Sequence, residues 1–193
     1  SLVYFESPGS LTFELQDFPK LCQITNRLNI KSIADNTWGT ILGQNPLNLG
    51  IDVVIESYTK YVSGHSDVMM GGVIARNNNF RKIKKQAEIM GQCTSPDDIY
   101  LAMRGLRTME VRLEKSFASS IKVANWISKI SHVKNVFHPA TKYHPDNKIF
   151  KRDFNIGAGL FSFELEEKDP KKIDNFIDSL ELFGIGASWG GFE

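Results

Sequence analysis

Apolar residues open the chain at Leu2-Val3-Tyr4-Phe5 and predict a buried strand over 2–6, closed by the turn residues Ser7-Pro8-Gly9-Ser10. Phe18, Leu21, Cys22, Ile24 and Leu28 then recur at the spacing of one helix face, so a helix is predicted over 18–29. Ile30 to Ala34 predicts a short strand ending at Asp35, and a loop rich in Gly, Asn and Pro follows from Gly39 to Gly50. Ile51-Asp52-Val53-Val54-Ile55 and the run Met69 to Ala75 predict two more strands. Strands that alternate with a helix and lack hairpin turns predict an α/β sheet.

The second half reads as more helical. Ser95-Pro96-Asp97-Asp98 is a strong helix start, with a hydroxyl at the N-cap, proline at the first position and acids at the positive end of the dipole. The helical pattern runs on in two pieces to about Ile130, with Gly105 inside it. Strands are predicted near 133–137, 160–165 and 183–187, with a helix from about Pro170 to Leu182, which together suggest a smaller α+β unit. The first residues have no polar lead-in and the last, Ser188 to Glu193, carry a loop signal, so both ends are expected to be cuts through a larger protein.

Composition narrows the function classes. The 193 residues carry a net charge of +1, so no bulk field points to nucleic acid or an acidic membrane. The basic clusters Arg81-Lys82-Ile83-Lys84-Lys85 and Lys171-Lys172 sit in helical patterns and read as solvated helix faces. Cys22 and Cys93 belong to no metal-ligand spacing, and His132, His138 and His144 lack it too, so no metal site is expected. Two lone cysteines and no signal peptide suit a reducing cytosol. No apolar stretch approaches the roughly 20 residues that span a bilayer.

The chemistry-bearing segment is Ser57-Tyr58-Thr59-Lys60-Tyr61-Val62-Ser63-Gly64-His65-Ser66-Asp67, directly after the strand at 51–55. Loops leaving the carboxyl ends of strands in open α/β sheets are where ligands bind. Hydroxyls flank Lys60 and Gly64 follows it, so a phosphate or a cofactor ring has room to approach the backbone. A lysine amine can form an imine and, once released, act as a base. Spacing alone leaves a surface lysine in a polar loop as the simpler reading. Asp35 ends its own strand 25 positions ahead of Lys60. A carboxylate there could hold a pyridine nitrogen protonated, although an Asp at a strand end is more often a turn or cap residue. His65 is read as a structural hydrogen-bonding residue before a general acid or base. Gly157-Ala158-Gly159 follows no predicted strand and is not read as a dinucleotide loop.

Taken together, Asp35-Asn36-Thr37-Trp38, Gly50-Ile51-Asp52, Ser57-Tyr58-Thr59-Lys60-Tyr61 and Gly64-His65-Ser66-Asp67 resemble the Cys/Met-metabolism family of pyridoxal phosphate enzymes, along essentially the whole chain. Glu6-Ser7-Pro8-Gly9-Ser10, Arg104-Gly105-Leu106-Arg107-Thr108, Lys151-Arg152-Asp153-Phe154 and Ser188-Trp189-Gly190-Gly191-Phe192-Glu193 look like its bacterial cystathionine β-lyase subgroup. The resemblance implies the aspartate-aminotransferase-like fold (fold type I). Residues 1–106 would be the later half of the large cofactor domain and 107–193 the first part of the small one. It implies pyridoxal 5'-phosphate as cofactor, with Lys60 as the Schiff-base lysine and proton carrier. Asp35 would pair with the pyridinium nitrogen, Ser57 and Thr59 would contact the phosphate, and Ser188 and Trp189 would lie near the substrate carboxylate. The reaction implied is α,β-elimination of cystathionine, with γ-lyase or γ-synthase chemistry and a non-catalytic, self-associating remnant as alternatives. A homo-oligomer acting on a small amino-acid substrate is expected. Relatives also carry a glycine-containing phosphate loop, a stacking aromatic residue and a carboxylate-binding arginine in segments this sequence does not include, so this polypeptide alone is expected to bind the cofactor poorly and to turn over little or nothing.

Overall fold

A computed structural model describes residues 1–191, so Phe192 and Glu193 of the last quoted motif lie outside the described residues. Four strands form the main sheet: β1 (Leu2–Glu6), β2 (Lys31–Asp35), β3 (Val53–Ser57) and β4 (Gly71–Ala75), in that spatial order. β1, β2 and β3 are parallel and β4 closes the sheet antiparallel to β3. Glu6 pairs with Asp35, Asp35 with Ile55, and Ser57 with Gly71. That register gathers the carboxyl ends of β1, β2 and β3 at one edge of the sheet, where both Asp35 and Ser57 sit.

Parallel strands need covered faces, and α1 (Phe18–Arg27) covers one of them. Phe18 and Cys22 pack with Ala34 of β2 and with Ile51 and Val54, all buried. Asp17 caps α1 by accepting the Lys20 amide at 3.4 Å. The strand predicted at 51–55 begins two residues later, at Val53. The Ile51 amide is held by the Pro46 carbonyl at 3.1 Å, and the Asp52 carboxylate reaches back to the Ser32 amide at 3.0 Å. The Gly/Asn/Pro loop contains one short helical turn, α2 (Thr40–Gly43).

α3 (Asn77–Ile89) carries the basic cluster 81–85 on a solvated helix, as its pattern indicated. α4 (Pro96–Leu106) and α5 (Met109–Ile127) are the two helical pieces, and Ser95 caps α4 by accepting the Asp97 amide at 3.2 Å. β5 (Val133–Phe137) and β6 (Ser162–Leu165) form an antiparallel pair. α6 (Asn147–Asp153), which the sequence reading passed over, lies between them, and α7 (Pro170–Asp178) is shorter at its end than predicted. The strand expected at 183–187 is absent: the segment is irregular, and Leu182, Phe183 and Ile185 are all exposed. Gly184 and Gly186 break the run, and β6 pairs only with β5 among the described residues.

The largest core cluster joins sequence from both halves. Phe13, Trp38 and Tyr61 pack with Leu113, Phe150, Phe154 and Ala158. Trp38 lies at its centre, with ring centroids of Phe13, Phe150 and Phe154 between 5.9 and 6.5 Å away. Its indole nitrogen donates to the Leu160 carbonyl at 2.9 Å.

Candidate active site

Residues 57–64 leave the carboxyl end of β3 in a closed turn. The Lys60 amide donates to the Ser57 carbonyl at 3.1 Å, the Ser63 amide to Tyr58 at 2.9 Å, and the Gly64 amide to Lys60 at 2.8 Å. These bonds close the turn from which the Lys60 amine leaves. The amine donates to the Ser188 hydroxyl at 2.6 Å and lies 5.2 Å from the centroid of the Trp189 ring. Trp189 leans on Tyr61 at a centroid distance of 5.5 Å. Gly190 holds φ at +92°, and a Cβ there would come within 3.0 Å of the Lys60 backbone. Glycine is what lets the 188–191 segment close over the lysine.

Beside this contact lies an open cleft of about 470 Å³, bordered by Thr59, Ser66, Asp67, Met69, Ser188 and Trp189. Four residues singled out in the sequence, Thr59, Lys60, Ser188 and Trp189, therefore meet at one place although 128 positions separate Lys60 from Ser188. Asp35 and Ser57 stand at the ends of neighbouring strands on the same sheet edge. One Asp35 oxygen accepts the Thr37 amide at 2.8 Å and the other accepts the Tyr4 hydroxyl at 3.3 Å. The Ser57 amide donates to the Thr37 hydroxyl at 2.9 Å, which ties the two strand ends together. The Thr59 hydroxyl donates to the Met70 carbonyl at 3.2 Å and accepts the Met70 amide at 3.0 Å, so its proton is already engaged. His65 contacts the Ser63 carbonyl through Nδ1.

Behind Asp35 lies a carboxyl that the sequence reading missed. Glu56 is buried and accepts the Asn36 side-chain amide at 3.1 Å. Burial pushes its pKa up to about 7, against the Asn36 bond and with the help of the Asp35 charge.

A lysine at the end of a buried parallel strand, a carboxylate on the adjacent strand end and a cleft beside the amine suit an aldehyde cofactor with a basic ring nitrogen. The family model for Cys/Met metabolism PLP-dependent enzymes matches residues 1–193. The chain belongs to that family. A Rhizobium johnstonii protein provisionally named cystathionine β-lyase is 42% identical over 196 residues, covering 100% of this chain and 50% of its own length. Further curated relatives carry the same enzyme name without qualification. An L-alanine/L-glutamate racemase of Wolbachia pipientis is 37% identical, covering 100% of this chain and 48% of its own length. Among solved structures, cystathionine γ-synthase of Xanthomonas oryzae superposes with a TM-score of 0.94 at 31% identity, covering 100% of this chain and 50% of that one. The fold is thus the α/β fold of this family, fold type I, and the chain spans about half the length of the relatives it matches.

The family's cofactor, pyridoxal phosphate, fits the residues present. Lys60 offers an amine at a cleft, Asp35 offers a carboxylate at the same sheet edge, and Ser57 stands at the strand end beside it. Among the described residues no group of three His, Cys, Asp or Glu side chains could hold a metal ion. No helix among them is long and apolar enough to cross a membrane.

Proposed function

We propose that this chain carries the lysine-bearing part of a pyridoxal-phosphate-dependent lyase of the cystathionine β-lyase type, splitting cystathionine into homocysteine, pyruvate and ammonia. The observation that carries this reading is the meeting of Lys60 with Ser188 and Trp189 beside the cleft. When bound, the cofactor supplies an electron sink for the carbanion left at the substrate's α-carbon. Lys60 Nζ is the amine that would hold the cofactor and would carry the α-proton. Asp35 keeps the ring nitrogen protonated by offering a carboxylate to it. Ser57 donates to the phosphate, and Thr59 joins it only by giving up its bond to Met70. Ser188 and Trp189 face the substrate carboxylate, and Ser188 receives the Lys60 amine when it is free of the cofactor. Residues 1–106 form the later half of the large domain and residues 107–193 the first part of the small one. The working state is a homo-oligomer in the cytosol.

A racemase reading is favoured by the Wolbachia relative, because moving an α-proton from one face to the other needs the same lysine. A γ-type reading is favoured by the Xanthomonas structure. Product analysis separates all three. Cystathionine yields pyruvate with homocysteine for β-elimination and 2-oxobutyrate with cysteine for the γ-type, whereas L-alanine yields D-alanine for a racemase. Borohydride trapping of pyridoxal phosphate on the protein, followed by peptide mass analysis, should label Lys60 and disappear in Lys60→Ala. A folded protein that traps nothing even at saturating pyridoxal phosphate would overturn this reading in favour of a non-catalytic, self-associating chain.

A further inference from the structure

We propose that Arg112 is the positioning residue for Lys60, acting as a strap between the lysine turn and the joint of α4 and α5. This rests on the reading of Lys60 as the cofactor-linked amine. Arg112 stands on the first turns of α5, yet its guanidinium reaches back to two other elements. Nη2 donates to the Gly105 carbonyl at 2.8 Å and to the Val62 carbonyl at 3.3 Å, and Nε donates to the Thr108 hydroxyl at 3.1 Å. Val62 is two residues past Lys60. The single guanidinium therefore joins the lysine turn to the end of α4.

The close approach is built from three sides. Gly64 closes the turn at φ +67°, and a Cβ there would collide with Arg112 at Nη1, Cζ and Nη2. Gly105 lies so near the turn that a Cβ on it would strike the Ser63 and Val62 carbonyl oxygens. Thr108 in turn donates to the Gly105 carbonyl at 3.2 Å, so the hydroxyl that receives Nε is itself anchored. Gly64 thus clears the space that the arginine fills, and Gly105 lets the end of α4 approach the turn. The half-buried guanidinium makes no ion pair with a carboxylate among the described residues. Its contacts are backbone carbonyls and a hydroxyl, which are geometric anchors. The neighbouring Arg104 contrasts with it, pairing with Asp67 at 2.9 Å on an exposed surface.

A planar fork with donors in fixed directions can bridge two carbonyls and a hydroxyl at once, whereas the single ammonium of lysine cannot span them. With the strap in place, the turn has one conformation and the Lys60 amine one exit. Without it, the Gly64 hinge is free to move, and Lys60 samples directions that miss the cofactor aldehyde.

The test compares the parent protein with Arg112→Ala and Arg112→Lys by three measurements: thermal melting, hydrogen exchange of peptides covering 58–65, and borohydride trapping of pyridoxal phosphate at Lys60 over a range of cofactor concentrations. In each variant that melts cooperatively, the strap requires exchange over 58–65 faster by about tenfold, with α7 unchanged. It also requires cofactor half-saturation for trapping to rise several-fold in each such variant. If Arg112→Ala does not fold, Arg112→Lys carries the test, because its stem keeps the packing. Parental trapping in Arg112→Lys would assign the effect to charge and overturn the strap. Faster exchange with unchanged trapping would show a merely structural residue and overturn it as well. Should the parent not trap at Lys60, the reading of Lys60 fails on its own, and unchanged exchange over 58–65 would then separately sink the strap.

Discussion

At the scale of single residues, the titration of Glu56 sets a measurable property of the fold. Its folded pKa of about 7 lies above the ordinary 4.5, because burial disfavours the charge first and the Asp35 carboxylate adds to that. The folded state therefore binds the proton more tightly than the unfolded state. The stability this group contributes is complete below about pH 4.5 and lost as pH rises to 7, a change on the order of 3 kcal/mol. His138 works in the opposite sense. Burial lowers its pKa from 6.5 to about 4, so its stability is present above 6.5 and lost as pH falls to 4. The clean measurement is the difference between Glu56→Gln and the parent in urea unfolding at pH 5, 7 and 8. The variant should gain on the parent from pH 5 to 7 and level off by pH 8, and a constant difference would mean that Glu56 is ionised in the fold. Lys60 and Asp35 stood out in the sequence through the motifs that surround them, since residue type and strand-end position alone favour a surface lysine and a turn aspartate. Glu56 and Arg112 did not, since a buried carboxyl and a bridging guanidinium acquire their roles only from groups distant in sequence.

At the scale of elements, the sequence was most readable where local chemistry decides the outcome. β1 and β5 fall at 2–6 and 133–137, although β1 is not the buried strand its apolar run predicts, because Leu2 and Tyr4 face out of the sheet and are exposed, and α4 starts at Pro96 behind its serine cap. Ser95→Ala should cost about 1 kcal/mol in chemical denaturation, because the Asp97 amide loses its acceptor. Restoration by Ser95→Asp would show that the cap, rather than a tertiary contact, is responsible. The errors have tertiary causes. Segment 183–187 has strand-like residues and finds no partner strand, and backbone pairing cannot be inferred from one segment alone. α6 is a seven-residue helix inside a stretch of turn-forming residues, and burial of Phe150 and Asn147 holds it where propensity alone would not.

At the scale of the whole molecule, one aromatic cluster decides whether the two halves behave as a unit. Trp38 comes three residues after Asp35, yet its ring is packed by Phe150 of α6 and by Phe154 just past its end, and its nitrogen is held by Leu160. The strand end that places Asp35 is thereby braced by residues more than 110 positions away. Removing the indole deletes buried area and leaves the Leu160 carbonyl without its donor, so Trp38→Ala should destabilise the protein by about 3–5 kcal/mol. Trp126 provides the control: it is 63% exposed, and Trp126→Ala should stay within about 0.5 kcal/mol. Guanidinium unfolding of both variants, followed by far-ultraviolet circular dichroism and by tyrosine fluorescence, checks the pair. The parent should unfold in one transition by both probes, since the shared cluster couples the sheet to the later helices. Trp38→Ala should bring the transitions apart as well as lowering them, because the sheet keeps the Phe18, Ala34 and Val54 core while α6 loses its main apolar partner. Equal losses from the two tryptophan variants would mean that the halves are held together by something other than this cluster.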